Sequence, residues 1–182
     1  MVDGAEEPIR VLVVDDDPYL RVMLSLELPD VELLEAASAD EAIVLATDET
    51  PDIVLVDIRL PGVDGLELIR EMRHEPSLER VPVIVITAGH DEARRAEVLR
   101  AGADEYLPKP IDVADLVARM ERVLGQHPDE RRPRRLKLIG RLEGGGGVGD
   151  PDPLPAGATD AVAARREQAP RRRGLLARFR RG

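Results

Sequence analysis

The chain has 182 residues, a formal net charge of −10, no cysteine, and only three aromatic residues: Tyr19, Tyr106 and Phe179. The lack of cysteine excludes disulfides and thiolate metal sites, and an apolar content of 43% with so few rings requires an aliphatic core. The acidic opening MVDGAEEP has no apolar signal-peptide core, and the apolar runs are far shorter than a membrane span, so a soluble cytoplasmic protein is expected.

The charge is unevenly spread. Residues 1–125 hold 12 basic and 29 acidic side chains, a net −17, whereas residues 126–182 hold 14 basic and 7 acidic, a net +7. An acidic body and a basic tail are therefore read separately.

The body begins with the apolar run VLVV (11–14), followed by DDD. Asp17-Pro18 then reads as a helix N-cap with proline at the first helical position. A weaker run, VELLEA (31–36), leads to Ser38 and Glu41, spaced as a capping box. DIVLV (52–56) is the next strand, ending before Asp57. Gly62 and Gly65 bracket a turn, where they serve backbone geometry. Asp64 with Glu67 starts a further helix. VPVIVI (81–86) precedes Thr87-Ala88, and EARRAEVLRAG closes on Gly102 as a C-cap glycine. DEYL (104–107) leads to PKP, and Asp112 with Asp115 starts the helix VADLVARMERVLG, which ends at Gly125.

Short Val- and Ile-rich runs without alternation fit strands buried on both faces of a parallel sheet. Five strand–helix repeats in about 120 residues predict an α/β fold with helices on both faces.

In open α/β sheets, ligands bind beyond the carboxyl ends of the strands. Those ends bring Asp15, Asp16, Asp57, Thr87 and Lys109 together. Like charges 4 Å apart repel by about 4 kcal/mol at an effective dielectric near 20. Lys109 offsets one charge, and the rest needs protonation or a hard divalent cation such as Mg²⁺, which is content with one or two carboxylates. A carboxylate beside a cation and a lysine can attack phosphorus to form an acyl phosphate, with the positive groups stabilising the phosphoryl group in transfer. The lysine itself is informative. Of 26 basic residues only Lys109 and Lys137 are lysine. A compact point charge meets an anion end-on, where arginine would present a broad fork.

VLVVDDDP, IVLVDIRLPGVDGLELI, VPVIVITA and GADEYLPKPI, in this order and spacing, resemble the receiver domain of two-component response regulators over about residues 9–124. The resemblance implies a flavodoxin-like, doubly wound five-stranded parallel sheet, with the receiver over residues 8–125. It implies that Asp57 accepts a phosphoryl group from a histidine kinase or phosphotransfer protein. Asp15 and Asp16 would be the acidic pair, Asp16 the more direct Mg²⁺ ligand, with the backbone carbonyl of Arg59 another. Thr87 and Lys109 would hold the phosphoryl oxygens, and the Lys109–Pro110 peptide would be cis. Phosphorylation would draw Thr87 inward, Tyr106 would turn in behind it, and the face over residues 90–124 would change shape for a downstream protein target or a homodimer. Ile111 stands where the family often has Phe, and Arg59 and Gly89 occupy variable positions that bear on phosphate lifetime. No enzymatic turnover is expected beyond self-catalysed phosphotransfer and dephosphorylation.

One rival is a haloacid-dehalogenase-like phosphatase, with Asp15 as nucleophile and Asp17 as acid/base. Pro18-Tyr19 and the late position of Lys109 speak against it.

The tail, 126–182, has RRPRR, GGGG and PDPLP, and only 10 Leu, Ile, Val or Phe in 57 residues. It is expected to be largely disordered, with 128–170 a linker, so the chain reads as a stand-alone receiver. Residues 171–181 (RRRGLLARFRR) have six arginines, and on a helix Leu175, Leu176 and Phe179 share one side. A solvated basic tail is the first expectation. The alternative is a phosphorylation-gated tether to an anionic membrane or nucleic acid.

Overall fold

The computed structural model describes residues 8–88 and 92–144. The elements in chain order are β1 (Ile9–Val14), α1 (Pro18–Glu27), β2 (Val31–Ala36), α2 (Ala39–Glu49), β3 (Ile53–Asp57), α3 (Gly65–His74), β4 (Val83–Thr87), α4 (Glu92–Ala101), β5 (Glu105–Pro108), α5 (Val113–Leu124) and α6 (Pro128–Glu143). The strands form one parallel sheet in the order β2-β1-β3-β4-β5. This is the doubly wound architecture expected from the strand–helix alternation.

Period-two alternation divides the strand side chains between two cores. Leu12, Val14, Val54, Val56, Val83 and Val85 pack with apolar residues of α2, α3 and α4. Val11, Val13, Ile53, Leu55, Ile84 and Ile86 pack with α1 and α5. Both faces are therefore covered, which explains why the central strands read as unbroken apolar runs. β2 lies at the sheet edge, and most of its residues are only half-buried.

The helix starts follow the expected chemistry. Asp17, Ser38, Asp64 and Asp112 each accept a backbone N–H of the first turn of α1, α2, α3 and α5. At the end of α4, Gly102 has φ +115°, the left-handed conformation of a C-cap glycine. Gly65 is required by contact: a Cβ there would lie 2.4 Å from the carbonyl oxygen of Asp57 and 2.9 Å from Ile58 Cα.

One expectation is corrected. Residues 128–143, read from composition as linker, form helix α6, which packs on α4. His127 caps it, Pro128 starts it, and Asp129 and Glu130 favour its first turn. Its inward face is chiefly arginine, so hydrophobic periodicity did not reveal it. The boundary at Gly125 marks the end of α5 but not of ordered secondary structure. Residues 145–182, with the 171–181 segment, lie outside the described residues. So do Gly89 and His90. Among the described residues, no helix is long and apolar enough to cross a membrane.

Candidate functional site

Strand register builds the site. Val14 pairs with Val56, so Asp15 follows β1 beside Asp57, the last residue of β3. Asp57 pairs with Ile86, one residue before Thr87, and Thr87 pairs with Pro108, one residue before Lys109. Four strand ends thus deliver Asp15, Asp57, Thr87 and Lys109 to one edge of the sheet. The Lys109 backbone N–H donates to the Thr87 carbonyl at 2.9 Å, which continues the β4–β5 ladder past the strand end. The Lys109–Pro110 peptide is cis, as the resemblance implied.

The Lys109 ammonium donates to Asp15 Oδ2 at 2.9 Å and to Asp57 Oδ2 at 2.6 Å. Asp15 is 1% exposed and Asp57 5%. The remaining oxygen of each is also engaged. Asp15 Oδ1 accepts the Asp17 backbone N–H at 2.8 Å, and Asp57 Oδ1 accepts the Arg59 backbone N–H at 3.0 Å. Arg21 steadies the loop by donating to the Asp15 carbonyl at 2.8 Å and to Glu35 at 3.0 Å. Burial by itself would lower the Lys109 pKa, but hydrogen bonds and charge from Asp57 and Asp15 outweigh it and hold the ammonium above the usual lysine range.

Asp16 is exposed beside this pair, between two residues with quite different tasks. Asp17 accepts the Tyr19 N–H at 2.9 Å and is spent as the cap of α1, which removes it as the acid/base of the phosphatase reading. Thr87 is buried at the end of β4. Tyr106 is buried within the α2–α3–α4 core, with the Arg95 guanidinium 5.8 Å above its ring.

Among the described residues, no group of three or more carboxylate, imidazole or thiolate side chains is arranged to enclose a metal ion. The donors at the edge are nonetheless all hard oxygens: two buried carboxylates with one lysine between them and an exposed third carboxylate. Mg²⁺ uses few protein ligands and keeps several waters. An open oxygen-only set with two surplus negative charges fits such an ion.

Sequence reasoning missed a second polar cluster, at the opposite end of β5. Asp104, 1% exposed, accepts from Arg73 at 3.2 Å, Arg135 at 3.0 Å and the Val83 backbone N–H at 3.0 Å. Glu105, 3% exposed, accepts from Arg119 at 3.2 Å, Arg122 at 3.1 Å and Arg134 at 2.6 Å. Burial pushes the Arg73 guanidinium down to about 10; Asp104 opposes this, and the neighbouring Arg135 and Arg131 add to it. The available signal was the pair Asp-Glu opening a buried edge strand, an expensive place for charge unless it is paired.

A doubly wound parallel sheet with two buried carboxylates and a lysine beyond its strand ends defines an α/β module with a polar site at the carboxyl edge. The response regulator receiver domain model matches residues 11–121, and the chain belongs to that family. The receiver is a signalling module of two-component systems. The phosphate regulon transcriptional regulatory protein PhoB of Pseudomonas aeruginosa is 37% identical over 116 residues, covering 63% of this chain and 51% of that protein. Response regulator MprA of a Mycobacterium species is 40% identical over 126 residues, covering 68% and 54%. The chain spans about half the length of these curated relatives. Among solved structures, a putative response regulator from Chloroflexus aurantiacus aligns with a TM-score of 0.63 at 34% identity, covering 66% of this chain and 100% of that one. The receiver domain of sensor histidine kinase PA1611 from Pseudomonas aeruginosa, solved with a magnesium ion coordinated in the active site cleft, aligns with a TM-score of 0.61 at 30% identity, covering 66% and 100%.

Proposed function

We propose that Asp57 is the phosphoacceptor of this receiver and that a histidine kinase or phosphotransfer protein in the cytoplasm is the donor. The observation that carries this reading is the Lys109 ammonium held at 2.6 Å from a buried Asp57 carboxylate, at the meeting point of four strand ends. In the transfer, an Asp57 carboxylate oxygen forms a bond to phosphorus, the phosphorus–nitrogen bond of the donor phosphohistidine breaks, and the electron pair leaves with the imidazole. Lys109 offers the ammonium that accompanies the phosphoryl charge, and the Thr87 hydroxyl is the donor for a phosphoryl oxygen. Asp15 keeps Lys109 oriented: its Oδ2 accepts the ammonium at 2.9 Å while its Oδ1 accepts the Asp17 backbone N–H.

Asp16, Asp15, Asp57 and the Arg59 carbonyl are the residues that would hold Mg²⁺, which supplies charge neutralisation for the phosphoryl group when bound. Support comes from the oxygen-only donor set and from the magnesium in the similar PA1611 receiver. The output is control of a protein partner through the face over residues 92–124, with Thr87 and Tyr106 as the switch pair.

Intact mass after incubation with acetyl phosphate and Mg²⁺ tests the reading. Wild type is expected to gain one base-labile phosphoryl group, while Asp57→Asn and metal-free samples gain none. An adduct that persists in Asp57→Asn would move the acceptor elsewhere.

A further inference from the structure

Helix α6 takes no part in the site at the carboxyl edge, yet it is bound closely to the receiver. Arg134 donates to the Asp104 carbonyl at 3.1 Å and to Glu105 at 2.6 Å. Arg135 donates to the Gly102 carbonyl at 2.7 Å and to Asp104 at 3.0 Å. Arg131 donates to the Arg80 carbonyl, and Glu143 pairs with Arg100 of α4. Ala96 and Leu99 of α4 are buried although neither belongs to the two cores that flank the sheet. Helix α6 packs on α4, the helix that carries them.

The attachment differs in kind from that of the other helices. α5 buries Leu116, Met120 and Val123 against the sheet. α6 buries one apolar side chain, Leu138, and one guanidinium, Arg131. It also contains Pro133 in its interior, which removes a backbone donor, and Gly140. A helix of this length has little stability of its own. Elements held mainly by polar contacts are those that open locally.

The anchoring carboxylates also lie at the start of the strands that reach the Asp57 site. Asp104 accepts the backbone N–H of Val83, the first residue of β4, whose last residue is Thr87. Glu105 opens β5, and Lys109 follows its end. Between them Tyr106 packs beneath Arg95 of α4. β5 therefore meets α6 through Glu105 at one end and the Asp57 site at the other, and β4 is linked to α6 through Asp104.

We propose that α6 is a detachable intramolecular occupant of the α4–β5 face, holding it closed against a protein partner, and that phosphorylation of Asp57 favours its release. The partner is a protein that offers basic side chains to Asp104 and Glu105 and apolar side chains to Ala96 and Leu99. The coupling to phosphorylation rests on the Asp57 reading above; the docking does not. Linkage is reciprocal: what frees α6 also raises the affinity for the phosphoryl group.

Hydrogen–deuterium exchange of the full chain decides it, with intact mass read on the same samples before and after acetyl phosphate and Mg²⁺. Amides of α6 are expected to exchange at least about tenfold faster than those of β1 and β3. Arg134→Ala with Arg135→Ala is expected to accelerate α6, and α4 around Ala96–Leu99, by a further factor of about ten, leaving β1 and β3 as in wild type. Phosphorylated wild type is expected to show the same acceleration. A second variant avoids the anchoring arginines. Arg100→Cys with Glu143→Cys, joined by a short bismaleimide in this cysteine-free chain, is expected to abolish the phosphorylation-dependent change. Exchange of α6 at the core rate in wild type and both variants overturns the proposal. A phosphoryl adduct with no change in α6 overturns the release. An adduct absent from every sample, with α6 still opening in the arginine variant, rejects the Asp57 reading and leaves the docking established.

Discussion

Lys109 serves Asp57 from a fixed position: its ammonium lies 2.6 Å from Asp57 Oδ2 while the neighbouring Asp15 holds it from the other side at 2.9 Å. One cation thus separates two buried carboxylates. Removing it leaves like charges facing each other with little water. Lys109→Met is expected to lose about 2 kcal/mol at neutral pH, below the range for a fully buried pair because the lysine is partly exposed. Urea denaturation of the two proteins at pH 7 checks this; equal midpoints would argue against charge as the cause.

The same contact sets an alkaline dependence. The folded-state pKa of Lys109 is raised, so its contribution to stability is complete below the unfolded value of 10.5 and fades as pH rises through the folded value. The stability difference between wild type and Lys109→Met should be flat from neutral pH to near 10 and then narrow. Comparing the two proteins cancels other groups that titrate in that range, Arg73 among them. A gap that widens above pH 10 would contradict the sign.

Gly65 meets the end of β3, at Asp57 and Ile58. A methyl group at this position would stand 2.4 Å from the Asp57 carbonyl and 2.9 Å from Ile58 Cα, both backbone atoms that cannot swing aside. Gly65→Ala is expected to cost about 2–3 kcal/mol by overpacking and to slow phosphorylation by displacing Asp57. At Gly62 an added methyl group would meet nothing within 4 Å, but the backbone adopts φ +84°. Gly62→Ala is therefore expected to cost about 1 kcal/mol through backbone strain alone. Thermal melts of the two variants separate contact from conformation.

Asp104 is a single carboxylate serving Arg73, Arg135 and the first amide of β4. Asp104→Ala would leave the Val83 amide without its acceptor and Arg73 and Arg135 without their counter-charge, and is expected to destabilise the fold by about 3–5 kcal/mol. Asp104→Asn keeps an acceptor oxygen and should lose less. Denaturant midpoints of the two variants test this, and equal losses would show that the hydrogen bonds matter little beside the charge.

The strands were legible because both-face burial writes itself as Val and Ile without alternation. VLVV, DIVLV and VPVIVI lie within one or two residues of β1, β3 and β4. The shift in β4 has a local reason: its first residue is Val83, just after Pro82, and the Pro82 carbonyl accepts from Val54 in β3. The meeting of Asp15, Asp57 and Lys109 was readable from their positions after strands, since register fixes which ends lie side by side. Helix α6 was not. Its inward positions are Arg131, Arg134, Arg135 and Leu138, and three of those four look like solvent residues until their carboxylate partners are known. Pro128 with Asp129 and Glu130 was the signal that could have found its start. The Asp104–Glu105 cluster escaped for the matching reason: its partners come from α3, α5 and α6, up to 31 residues away in sequence.

The run Asp15-Asp16-Asp17 looks like one patch of charge, yet the backbone divides it three ways. The first faces Lys109 in the interior, the second faces water, and the third begins a helix. Identical letters have become non-interchangeable parts, distinguished only by phase. Deleting any one of them would barely alter the composition, and the two that remained could fill only two of the three places. The run is thus a counting device: three steps from the last residue of a strand to the first turn of a helix, with every step assigned.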